Sequence, residues 1–218
     1  SLELDISGSL SLGDLRFTSD GEELLHVERV RVELGGLPSS SHVDVALVEV
    51  AGVHIRQGEG LPRLETLFVP PDPEEKPPPL ETALRVQTIR ITDVNLEDFR
   101  PDGTLVKVHK LHLEGKVGLN DGQATFDFQI PAGDSHAEIR RQDGATFKLP
   151  KLQLAFEGEA NVADQTLHVR LPSQRMPLFV QVPELDSLED ALVLESLEAE
   201  VRPDRADLDL KGFKVADL

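Results

Sequence analysis

The chain contains no cysteine, no tryptophan, no tyrosine and a single methionine. Having no cysteine excludes disulfides and thiolate metal sites. Sites that recognise sugars, nucleobases or antigens usually employ Trp and Tyr, so their absence argues against those partners. Positive charge is scarce as well: 22 Lys and Arg face 40 Asp and Glu, a net charge of −18. Affinity for nucleic acid is built from Lys and Arg clusters that release counterions, so no nucleic-acid partner is expected. A basic membrane-surface patch is disfavoured for the same reason. No run approaches the ~18 apolar residues that a membrane-spanning helix requires, and the first residues lack the layout of a signal peptide. The start at Ser1 suggests a processed chain or a piece of a longer one, whose anchor lies outside it.

Catalytic signatures are missing too. There is no Gly-rich phosphate loop, no Gly-x-Ser-x-Gly elbow and no His-Glu-x-x-His pair. The expectation is a protein that is not an enzyme and carries no cofactor. His109 and His112 come nearest to a metal pair, but an odd spacing on a strand sends them to opposite faces unless a bulge intervenes. Asp186, Glu189 and Asp190 lack the glycine that a calcium loop needs. No metal site is expected at either place.

What the chain does contain is leucine and valine in alternation, within a hydrophobic content of 39% over 218 residues. Leu2, Leu4 and Ile6, then Leu10 and Leu12, recur at every second position, the period of a half-buried strand. Similar runs follow at Val43-Val45-Leu47, Phe126-Phe128-Ile130, Leu152-Leu154-Phe156 and Leu167-Val169-Leu171. Turn signals such as Gly35-Gly36, Pro101-Asp102-Gly103 and Asn120-Asp121-Gly122 separate them. The pattern predicts an antiparallel meander.

A second pattern underlies the first: an apolar residue, another three positions on, and a third two positions after that. It occurs as Val27-Val30-Val32, Val45-Val48-Val50, Val86-Ile89-Ile91, Val108-Leu111-Leu113, Leu149-Leu152-Leu154 and Leu194-Leu197-Ala199. A three-residue step breaks the period of two, as a bulge does when it inserts one residue and re-aims the next side chains. Val45-Val48-Val50-Val53-Ile55 and Val86-Ile89-Ile91-Val94-Leu96 match with an offset of 41, and so do the Val108 and Leu149 triplets. This reads as a degenerate repeat of about two strands, favouring an elongated sheet.

Residues 70–79 hold six prolines among acidic residues and predict an exposed linker between a first β segment, 1–69, and a second, 80–218. Leu61, Leu64, Leu67 and Phe68 have helical spacing, and so do Leu185, Leu188 and Leu192, so one or two short helices are expected.

Three passages together resemble the AsmA-like superfamily, which includes TamB and related bacterial envelope proteins. They are Leu25 to Leu34 leading into Val43 to Ile55; the Leu/Pro/Glu stretch Leu67 to Leu80 followed by Leu84 to Leu96; and Val108 to Gly115. The resemblance implies a mostly β protein, a coiled antiparallel sheet forming an open, taco-like apolar groove. It also implies a periplasmic segment of an inner-membrane-anchored protein that moves phospholipid toward the outer membrane, contributing to outer membrane biogenesis. Other envelope proteins would then meet the groove ends, and exposed strand edges would favour self-association. The central positions of the repeated pattern, Val48, Val50, Ile89, Ile91, Leu111 and Leu113, are the expected groove lining, in contact with acyl chains. The same stripes suit the closed core of a non-catalytic envelope or extracellular β-sandwich used as a scaffold or adhesion module, and that alternative stays open.

Overall fold

The computed structural model describes residues 2–5, 8–19, 21–58, 83–161, 166–183, 188–202 and 205–215. Within them every regular element is a strand, so the protein is mostly β. In chain order these are β1 (Leu2–Asp5), β2 (Ser9–Ser19), β3 (Glu22–Leu34), β4 (His42–Gly58), β5 (Ala83–Phe99), β6 (Leu105–Asn120) and β7 (Gln123–Ile130). They continue with β8 (His136–Arg140), β9 (Thr146–Leu149), β10 (Leu154–Asn161), β11 (Thr166–Leu171), β12 (Gln174–Gln181), β13 (Leu188–Arg202) and β14 (Arg205–Val215). Leu188 and Leu192, expected on a helix, stand in β13, where the ladder to β12 outweighs their helical spacing. Leu185, the expected helix over 61–68 and the Pro-rich linker 70–79 lie outside the described residues.

All fourteen strands join one sheet. The expected meander is corrected at one place: β4 and β5 pair in parallel, His42 beside Ala83 and onward to Gly58 beside Phe99. The strands before and after residues 59–82 therefore share one continuous ladder. That pairing also explains the offset of 41, because each residue of β4 stands next to the residue 41 positions later. Here the repeat is one strand wide. Further along it is two wide, since Val108 faces Ala137 and Ala137 faces Leu149.

β7 and β8 lie end to end along β6, which pairs with β7 through 114–120 and with β8 through 105–109. β9 and β10 follow the same course, as do β11 and β12, both of which pair with β13. Three long strands are thus each broken once, at 131–135, 150–153 and 172–173. Every break opens with a proline: Pro131, Pro150 and Pro172. A proline has no N–H to give to a ladder, so pairing stops there.

The breaks line up with irregularities in the unbroken strands to form one crease across the sheet. Asp14 (φ 57°), Gly52 (φ 65°), Asp93 (φ 55°) and Lys110 (φ 49°) all adopt left-handed backbone at this level. Each lies inside a three-residue apolar step: Leu12 to Leu15, Val50 to Val53, Ile91 to Val94, Val108 to Leu111. The left-handed residue turns the strand so that apolar side chains three apart return to the same face. Three of these steps, at Gly52, Asp93 and Lys110, are ones the sequence spacing marks as bulges, whereas the step at Asp14 is seen only in the structure.

Skipping a rung strands backbone donors and acceptors, and side chains take them up. Ser135, wholly buried, donates its hydroxyl to Lys110 O at 2.9 Å and accepts from His112 N at 3.2 Å. Its own carbonyl accepts from Leu152 N at 2.7 Å, carrying the bridge into the next break. Gln174 imitates a strand segment, donating to Ala155 O at 3.1 Å and accepting from Ala155 N at 2.8 Å. Asn95 accepts from Lys110 N at 3.3 Å and donates to Asp93 O at 3.1 Å.

Candidate functional site

Because the crease restores the alternation, one face of the sheet stays apolar from β2 to β13. One rung runs Leu12, Val30, Val50, Ile91, Leu113. The next runs Leu10, Val32, Val48, Ile89, Gly115, Phe128, Phe156. A third joins Leu34, Val45, Val86, Val117, Phe126, Gly158, Val169 and Ala199.

The expected lining residues fall on this face and on three neighbouring strands. Val50, Ile91 and Leu113 share a rung, Val48 and Ile89 share the adjacent one, and Leu111 faces Val94 beside the crease. All six are half-buried, neither sealed in a dry core nor standing in open water. Buried apolar residues occur along the sheet, Val27, Val45, Val53 and Val86 in β3 to β5, Ile130 in β7 and Leu194 in β13.

Sequence spacing left out the aromatic part of the face. Phe126, Phe128 and Phe156 form one cluster, with Phe128 and Phe156 stacked at 5.5 Å between ring centres. Gly115 and Gly158 make room for it. A Cβ at Gly115 would meet the Phe128 ring, and one at Gly158 the Phe126 ring. The signal was Phe126-Phe128 two residues apart, with glycines on partner strands, but only the register shows which ring covers which glycine.

The opposite face is charged in alternating sign. Across one rung run Arg31, Glu49, Arg90 and Glu114, with Arg90 paired to Glu114 at 3.2 Å. Across another run Arg56, Glu97, Lys107, Glu138 and Lys148. The Lys107 ammonium donates to Glu97 and holds its carboxyl below the usual range, against a smaller opposing effect of burial. Arg16 does the same for Asp14. Exposed pairs of this kind add little stability each. They do penalise a one-residue slip, which would lay charges among the valines.

Two concavities, ≈ 1040 Å³ and ≈ 880 Å³, adjoin each other on the charged side and share Lys116 and Asp127. His109 and His112, weighed as a pair from sequence, are separated by the left-handed Lys110. His109 instead stands opposite His136. Among the described residues no three His, Asp or Glu side chains are arranged to hold a metal ion, and no helix is long and apolar enough to cross a membrane. No protein-family model, curated protein or solved structure matches the chain.

Proposed function

We propose that this chain is a segment of a periplasmic bridge-like protein, anchored in the inner membrane, whose apolar face carries phospholipid toward the outer membrane. The observation that carries this reading is the unbroken apolar face from β2 to β13, most of it half-buried. Inner-face residues of a packed sandwich are interdigitated with an opposing sheet and lose nearly all exposure. A face of Val, Leu, Ile and Phe that keeps part of its exposure suits acyl chains, whose burial is worth about 0.8 kcal/mol per methylene. Such contacts are non-directional and require neither Tyr nor Trp. The opposite face, covered in alternating charges, stays solvated.

The function so read involves no chemistry on the lipid, and other envelope proteins would meet the two ends of the sheet. The test is a photocrosslinking amino acid at Ile91 and, separately, at Arg90, one residue away on the charged face, in cells with an intact envelope. Phospholipid adducts at 91 and none at 90 are the expected outcome. Equal labelling at both positions, or none at 91 together with a lipid-free purified protein, would leave the scaffold reading in its place.

A further inference from the structure

We propose that His109 and His136 form a two-histidine chelate for a divalent late transition-metal ion, Cu²⁺ binding most tightly, on the charged face beside the crease. The two residues are directly opposed on antiparallel strands β6 and β8, and their rings stack at 4.9 Å between centres. Two imidazoles bound cis to one ion at ~2.0–2.1 Å per nitrogen place their ring centres roughly 4.5–5 Å apart. The planes are 24° from parallel. Rotation of the His109 ring about χ2, a broad and soft torsion, can aim its Nε2 at an ion held by His136.

Three features mark this pair as a built site. The His136 Nδ1 lies 3.0 Å from the Asp134 carbonyl, which can only accept, so Nδ1 is the donor there and, in the neutral ring, Nε2 is the nitrogen left to ligate. Metal-binding histidines are commonly oriented by such a bond on the other ring nitrogen. Second, the backbone beside both residues is locked, since buried Ser135 next to His136 bonds to Lys110 next to His109. Third, His109 lines a concavity on this side together with Glu97, which leaves its ring reachable from solvent.

The chain's other facing pair, His26 and His54, lacks this arrangement. Its rings are 6.1 Å apart, and His26 Nε2 is already engaged by Asp14 at 3.0 Å. With two protein ligands, water completes the coordination sphere. Imidazole nitrogen suits Cu²⁺, Ni²⁺ and Zn²⁺, in the order Cu²⁺ above the other two, and not Mg²⁺ or Ca²⁺.

The experiment titrates the full chain with Cu²⁺ against a glycine competitor, read by calorimetry and electron paramagnetic resonance. The expected result is one ion per chain with two equatorial imidazole nitrogens. His109→Asn and His136→Asn should each weaken binding about 10–100-fold, while His26→Asn and His112→Asn leave it unchanged. A single coordinated imidazole in the parent chain, or undiminished affinity in the folded His109→Asn/His136→Asn double variant, would overturn the assignment. The spectrum of the parent protein decides the matter even where a variant does not fold.

Discussion

Val48 and Ile89 stand side by side in parallel strands, 41 residues apart, and the same offset holds for every pair from His42–Ala83 to Gly58–Phe99. Both strands step by three at Val45 to Val48 and Val86 to Ile89, so their irregularities coincide and the apolar face passes between them without a fault. Ile89 is therefore flanked by Val48 on one side and Gly115 on the other. Its side chain is half-buried.

Ile89→Asp tests whether that face is open. A carboxylate at a half-buried position reaches water, so the variant should fold and lose about 1–3 kcal/mol in urea denaturation. A crosslinker at Ile91 in the same background should lose its phospholipid adduct. Failure to fold would place Ile89 against a packed partner layer.

Ser135→Ala removes the hydroxyl that serves both Lys110 O and His112 N. Two part-buried backbone groups then lose a partner, at an expected cost of about 1 kcal/mol. Amide exchange at His112 should accelerate more than at Val117, which lies in regular ladder. Equal acceleration at both would mean that the crease is not held by this bond.

Gly52 combines a positive φ of 65° with the Glu28 side chain lying over it. Gly52→Ala should destabilise by more than the ~1 kcal/mol that left-handed backbone alone costs a residue with a Cβ. Glu28→Ala in the same chain should recover the part due to collision and leave the backbone part. A double variant no more stable than Gly52→Ala would assign the whole loss to φ.

Acid should weaken the sheet partly through Glu97. Lys107 lowers its folded pKa beneath 4.5, so the carboxylate binds fewer protons folded than unfolded. Its contribution is complete above 4.5 and is lost as pH falls through the lower folded value. Both side chains are about a third exposed, which keeps the effect small. Glu97→Gln should flatten melting temperature against pH in that window and leave the profile at neutral pH unchanged in slope.

Within the described residues β1 pairs only with β2 and β14 only with β13, so each presents an unpaired edge. With a net charge of −18, chains repel at low salt. Light scattering should show monomer at low ionic strength and a growing dimer fraction as salt screens that repulsion. Monomer at every salt concentration would mean that the edges do not template pairing.

The predominance of strands, the sharing of one face by the Val and Leu stripes and most of the three-residue steps at the crease were legible in the sequence. The reason is that a strand's period of two, a three-residue step and a proline are local properties of the backbone. The spacing of Leu188 and Leu192, by contrast, pointed to a helix where a strand stands. Val50, Ile91 and Leu113 could be assigned to one face before any pairing was known. Pro131, Pro150 and Pro172 carried the same information, each following an apolar residue of an alternating run. Only the tertiary structure decided that β4 lies parallel to β5, that Phe126 covers Gly158, and that His109 meets His136 rather than His112. Those relations depend on register between strands distant in the chain, which is set by burying all the apolar rungs on one side together and matching opposite charges on the other.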